Sequence, residues 1–150
     1  MLKIGLLGAG RIGIVHARTI TSHPGSTLVA VSDVVAENAQ KLATEYSAVA
    51  RSSDEIIADA GIDAVLIATS TDTHSGLIEA ATAAGKAVLC EKPVDRSLDR
   101  ARACQKAVAA YGRPVMIGFN RRFDPSFGAL KSALDAGEIG DGQGQAAGDC

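Results

Sequence analysis

Three short segments carry residue types and spacings that could do chemistry. Gly8-Ala9-Gly10-Arg11-Ile12-Gly13 is a Gly-x-Gly-x-x-Gly turn, Asp33 follows an apolar run, and Glu91-Lys92-Pro93 follows another. A glycine turn opening a helix presents backbone N–H groups and the positive end of the helix dipole to an anion. In such a turn Gly8 permits the tight bend, Gly10 lets the backbone approach a pyrophosphate, and Gly13 lets the helix pack close to the strand. Arg11 either lies over that pyrophosphate or points to solvent. The pattern alone is weak, since glycine is common in turns. Its position after a strand and before a helix is the context the chemistry requires.

Asp33 sharpens the reading. A carboxylate at the end of the second strand can accept hydrogen bonds from adenosine ribose hydroxyls and would repel a 2′-phosphate. Neither Val34 nor Val35 supplies a cation to hold such a phosphate. NAD is therefore expected over NADP. A structural turn with a solvated Asp33 is the bland alternative, and a methyltransferase loop for S-adenosylmethionine is the rival for the turn taken alone.

The elements that must position these residues alternate along the chain. Apolar runs at 2–7, 27–32, 64–68, 86–90 and 114–118 predict buried strands. Helical patterns fall between them: 11–22, a stretch carrying Val35, Ala39, Leu42 and Tyr46 on one face, a short helix opened by the Ser52-Ser53-Asp54-Glu55 capping box, one capped by Asp72 and closed by Gly85, and one from Ser97 to Gly112. Asp124-Pro125 predicts a last helix bearing Phe127, Leu130 and Leu134 and ended by Gly137. Strands separated by single helices need crossover connections, so the expected fold is α/β, a Rossmann-type doubly wound parallel sheet in a single domain over 1–139. The stretch 140–150 is glycine-rich and without period, and is expected to be a disordered tail.

Two segments fall at carboxyl ends of later strands, where doubly wound sheets bind ligands: Ala68-Thr69-Ser70-Thr71-Asp72-Thr73-His74 and Cys90-Glu91-Lys92-Pro93-Val94. Together with Gly118-Phe119-Asn120-Arg121-Arg122-Phe123-Asp124-Pro125 they resemble the Gfo/Idh/MocA family of NAD(P)-dependent sugar and polyol dehydrogenases, most of all its inositol 2-dehydrogenase branch. The resemblance covers residues 1–140, and Glu91-Lys92-Pro93 is its most specific part. It implies that Lys92 is the catalytic lysine, reaching the reacting hydroxyl beside the nicotinamide. A lysine partly desolvated beside a positively charged ring gives up its proton more readily, which suits proton transfer. Taken alone, Lys92 reads as a solvated surface residue. A cis Lys92-Pro93 bond is an expectation to check.

The resemblance further implies that Thr69, Ser70 and His74 line the nicotinamide half of the cofactor, that Glu91 belongs to the same set, and that Asn120 and Arg121 approach cofactor or substrate. His74 could equally be a first-turn helix residue bonded to backbone, and His16 is expected to be structural. Family members continue into a second domain that binds substrate and supplies an Asp and a His to the lysine; the expectation for this chain is a cofactor domain with that C-terminal substrate domain absent. The function expected is the NAD(H)-binding domain of an oxidoreductase acting on a cyclic polyol or sugar, myo-inositol being the first candidate, truncated and inactive alone. A non-catalytic NAD(H)-binding sensor or docking module is the alternative. Family members associate through the second domain, so a homo-oligomer stays open.

Composition sets the outer limits. The chain has 150 residues, 47% hydrophobic and only 3% aromatic, so its core must be aliphatic. A net charge of −2 leaves no basic footprint for nucleic acid. The apolar N-terminus is too short for a membrane span. The 3 cysteines, Cys90, Cys104 and Cys150, are widely spaced and make neither a metal pattern nor a disulfide framework, which fits a cytoplasmic protein.

Overall fold

The computed structural model describes residues 1–138, so the tail expected over 140–150 lies outside the described residues. The chain groups into two compact units, Met1–Gly118 and a second beginning at Phe119.

The first unit alternates strand and helix throughout. Its elements are β1 (Leu2–Leu7), α1 (Arg11–Ser22), β2 (Ser26–Ser32), α2 (Ala36–Glu45), β3 (Val49–Ala50), α3 (Ser53–Ala58), β4 (Ala64–Ile67), α4 (Thr71–Ala83), β5 (Ala87–Cys90), α5 (Leu98–Ala109) and β6 (Val115–Ile117). The six strands run parallel in the order β3-β2-β1-β4-β5-β6. Chain direction across the sheet reverses between β1 and β4, and the loops after those two strands diverge there to leave a crevice.

Burial divides the core between the two sheet faces. Leu6, Ala17, Ile20, Leu28, Val31, Leu42 and Leu66 pack on the face covered by α1 and α2. Leu7, Ala30, Ile56, Val65, Ile67, Ile78, Val88 and Cys104 pack on the other, under α3, α4 and α5. Adjacent residues such as Leu6 and Leu7 serve opposite faces, which is why both-face burial erases polar alternation from these strands. Leu28 and Val31 share a face although three apart. The register slips between Ile4 and Gly5, which pair with Leu28 and Ala30, and this bulge turns the strand by one residue.

Several boundaries differ from expectation for local reasons. The edge strand β3 is two residues long, too short to show a period. Val35 is the N-cap of α2 and 45% exposed, so the buried face of that helix is Ala39, Leu42 and Ala43. Ser70, not Asp72, is the N-cap of α4, and Asp72 lies in its first turn. The capping box at Ser52 and Glu55 is present as read, and Gly85 closes α4 with φ of 81°.

Lys86 precedes β5 and is only 4% exposed. Its ammonium donates to the carbonyls of Ile62 at 2.7 Å and Asp59 at 2.5 Å, tying the end of α3 to the start of β5. Lys86→Met keeps the hydrocarbon volume but leaves both carbonyls without that donor. It is expected to cost about 2 kcal/mol, measured by urea denaturation, because a charged donor is lost from a buried site.

Among the described residues, the second unit holds a 3-10 turn (Asn120–Phe123) and α6 (Pro125–Asp135). Asp124 caps α6 by accepting the Ser126 amide at 2.9 Å, Pro125 occupies the first helical turn, and Gly137 follows the helix with φ of 74°.

Candidate cofactor site

The glycine turn is held from below by the end of β2. The Gly8 amide donates to the Ser32 carbonyl at 2.8 Å, and the Ala9 amide donates to Asp33 Oδ2 at 2.7 Å. Asp33 Oδ1 accepts the Val35 amide at 2.9 Å. Asp33 is therefore a brace for the turn as well as the carboxylate facing the crevice. Each of its oxygens keeps a further lone pair for a hydroxyl donor.

The three motif glycines have different steric reasons. Gly8 has φ of 101°, and a side chain there would also strike the Ala68 carbonyl of the loop after β4. A methyl on Gly13 would overlap the Gly8 carbonyl oxygen. A methyl on Gly10 would meet no protein atom within 4 Å; it would project into open space. The first turn of α1 has no side-chain cap and no acidic residue. Its leading amides thus lack a side-chain acceptor, and together with the open face of Gly10 they fit a pyrophosphate. Arg11 and Ile12 are exposed at this turn, while Gly13 is buried.

The crevice between the two loops has a volume of about 350 Å³ and is lined by Gly8, Gly10, Asp33, Thr69, Ser70 and Leu77, among others. The structure thus brings together residues read from separate motifs: the glycine turn, Asp33 and the Thr69-Ser70 pair. Thr69 Oγ1 and Thr73 Oγ1 lie 2.7 Å apart, and the Thr73 hydroxyl donates to the Ser70 carbonyl at 2.8 Å, so this lip is internally braced. Thr73 and Leu77 also line the crevice. They were not singled out from sequence, although their i, i+4 spacing behind Thr69 was the available signal.

His74 is 1% exposed and does not reach the crevice wall. Its Nδ1 lies 2.7 Å from the Pro93 carbonyl oxygen and its Nε2 lies 3.1 Å from that of Thr69. The backbone bonding considered for His74 is present in the structure. A neutral ring donates to one of these carbonyls, a doubly protonated ring to both.

Lys92 is exposed at the carboxyl end of β5, and the Lys92-Pro93 bond is cis. Glu91 Oε1 lies 2.8 Å from His16 Nε2, so His16 engages the motif directly. Nothing in the local sequence relates His16 to Glu91, which are 75 positions apart. Cys90, just before them, is buried with its thiol pushed up to about 12, first by desolvation and then by the Glu91 charge, which makes it an inert core residue. Asn120 and Arg121 belong to the second unit. There the Arg121 guanidinium lies 5.1 Å over the Phe127 ring and 3.3 Å from Asp124. Among the described residues no helix is long and apolar enough to cross a membrane.

Comparison with known proteins agrees with this geometry. Residues 2–119 match the model of the Gfo/Idh/MocA oxidoreductase family, NAD-binding Rossmann fold. The chain is 49% identical over 140 residues to an inositol 2-dehydrogenase of Rhizobium meliloti, covering 93% of this chain and 42% of that protein. A crystal structure of a myo-inositol dehydrogenase from Corynebacterium glutamicum superposes with a TM-score of 0.84 at 44% identity, over 94% of this chain and 43% of that one. A scyllo-inositol dehydrogenase from Lactobacillus casei, with bound NAD(H) and scyllo-inositol, gives 0.87 at 34% identity, over 94% and 43%. The chain thus spans less than half the length of these relatives. With its glycine turn, its β2 carboxylate and its parallel sheet, the chain belongs to the Gfo/Idh/MocA oxidoreductases as an NAD-binding Rossmann domain.

Proposed function

We propose that this domain serves an NAD-dependent oxidation of a ring hydroxyl on an inositol-type polyol, with Lys92 as the residue that meets the hydroxyl and joins the network through which its proton leaves. The observation that carries the reading is the placement of Lys92: exposed at the end of β5, on the same sheet edge as the crevice that ends at Thr69 and Ser70. Support for the substrate class comes from the inositol dehydrogenases that the chain resembles.

The adenosine end is assigned to Asp33, the pyrophosphate to Gly8, Gly10 and Gly13 with the first turn of α1, and the nicotinamide end to the Thr69-Ser70 lip. Arg11 and Ile12 flank the pyrophosphate from the solvent side. Glu91 is assigned to the cofactor, and Asn120 and Arg121 to cofactor or substrate, on the family pattern alone. When bound, NAD supplies the acceptor for the hydride that leaves the hydroxyl-bearing carbon. Lys92 has two tasks around that transfer: to hold the ring hydroxyl in place, and to join the network through which its proton leaves as the carbonyl forms.

The experiment separates the nicotinamide end from the adenosine end. With the lysines of the 150-residue chain carrying isotope-labelled methyl groups, NADH is expected to move the Lys92 resonance, whereas ADP-ribose, which lacks the nicotinamide, is not. Equal movement with both ligands, or none with either, would remove Lys92 from the reacting centre.

A further inference from the structure

The residues on either side of Lys92 are each held by a histidine, and the two histidines stand on the two helices, α1 and α4, that start from the loops flanking the cofactor crevice. His16 Nε2 meets Glu91 Oε1 at 2.8 Å, and His16 stands on α1, the helix that begins at the glycine turn. His74 Nδ1 meets the Pro93 carbonyl at 2.7 Å, and His74 stands on α4, the helix that begins at the Thr69-Ser70 lip. The other ring nitrogen of His74 lies 3.1 Å from the Thr69 carbonyl, so one buried ring touches both the lip and the lysine turn. Ser75, next on α4, donates to Asp95 at 2.7 Å. The Ser97 amide and this hydroxyl hold the Asp95 carboxyl below its ordinary value, consistent with a third tie through a charged acceptor.

Sheet bonding stops short of this turn. The Glu91 amide donates to the Ile67 carbonyl at 2.9 Å, at the end of the β4–β5 ladder. From there to Asp95 the chain is held by the three side-chain ties at Glu91, Pro93 and Asp95, with Val94 packed against the core between them. Lysine has a long, flexible side chain, so where its amine can stand depends on where its Cα is held. A displacement of about 1 Å at a reacting centre costs on the order of a hundredfold in rate.

We propose that His16 and His74 are positioning residues that lock the Lys92 turn to the glycine turn and to the Thr69 lip, so that cofactor loops and lysine move as one body. The inference rests on the reading of Lys92 given above. A histidine that merely filled core volume would affect stability and cofactor affinity together. A positioning histidine would in addition change where Lys92 stands once the cofactor is fully bound.

The readout is the displacement of the labelled Lys92 methyl resonance at saturating NADH, in the full 150-residue chain, beside the NADH affinity and the melting temperature. His16→Leu and His74→Leu are expected to cut that saturated displacement by about half or more, because the ties to α1 and α4 are gone. His16→Gln places an amide nitrogen near the Nε2 position and His74→Asn places one near Nδ1; both are expected to restore the displacement. An unchanged saturated displacement in both leucine variants would overturn the proposal. Should His74→Leu fail to fold, the His16 pair and His74→Asn decide the matter. If NADH leaves the wild-type Lys92 resonance unmoved, the reading of Lys92 fails, and the tie is still tested by hydrogen exchange at the Glu91 amide. Exchange there is expected to quicken about tenfold in the leucine variants, and an unchanged rate would defeat the tie itself.

Discussion

Gly10→Ala is expected to weaken NADH binding about a hundredfold, roughly 2.7 kcal/mol, while leaving the fold intact. The asymmetry follows from the surroundings of the turn. A methyl on Gly10 meets no protein atom within 4 Å, and the residue has φ of −73° and ψ of −171°, which alanine adopts without strain. Removing glycine there lowers the entropy of the unfolded chain, so the melting temperature should hold or rise slightly. The new methyl instead stands where the pyrophosphate must approach the backbone. Gly13→Ala is the contrasting case, since its methyl would overlap the Gly8 carbonyl oxygen, a backbone atom that cannot step aside. Overpacking of that kind costs about 3 kcal/mol and should lower stability and affinity together. Fluorescence titration with NADH, run beside thermal denaturation, reads both. A Gly10→Ala chain that binds NADH as well as the wild type would place the pyrophosphate elsewhere.

Asp33→Ala is the second large effect expected, and it should act in two ways. The carboxylate braces the turn through the Ala9 amide at 2.7 Å and the Val35 amide at 2.9 Å. Charge-assisted bonds of this kind contribute about 1.5–3 kcal/mol, so losing one that shapes the turn, along with a ribose contact, should weaken NADH about a hundredfold. The same change removes the negative charge that opposes a 2′-phosphate. Wild-type chain is expected to prefer NADH over NADPH by about a hundredfold or more, since like charges brought together cost several kcal/mol. In Asp33→Ala that preference should collapse to within about tenfold, because the repulsion goes while no cation is gained. Asp33→Asn retains one acceptor oxygen for the Ala9 amide and separates the effects: preference lost, turn partly kept. Equal affinity of the wild type for both cofactors would overturn the role given to Asp33.

Much of the architecture was legible because its signals are local. Apolar runs of strand length, single helices between them and the Ser52–Glu55 capping box each depend on neighbours within a few positions. Such local signals marked the parallel sheet and placed the glycine turn at a strand end. They were silent on β3, which owes its existence to pairing with Ala30 and Val31 rather than to its own pattern. They could not show the bulge at Ile4 and Gly5, which puts Leu28 and Val31 on one face of the sheet.

The site divides along the same line. Residue type alone determined where an anion could bind, which carboxylate follows β2 and which lysine follows β5, because each sits at a strand end that its own segment announces. Only the tertiary structure decided that Asp33 braces the Ala9 amide and that His74 is turned inward between two carbonyls. It likewise brought His16 to Glu91, 75 positions away. The reason is physical: a hydrogen bond between distant segments depends on the crossovers that bring strand ends to one edge of the sheet. No spacing within a single segment records which side chains will face each other there.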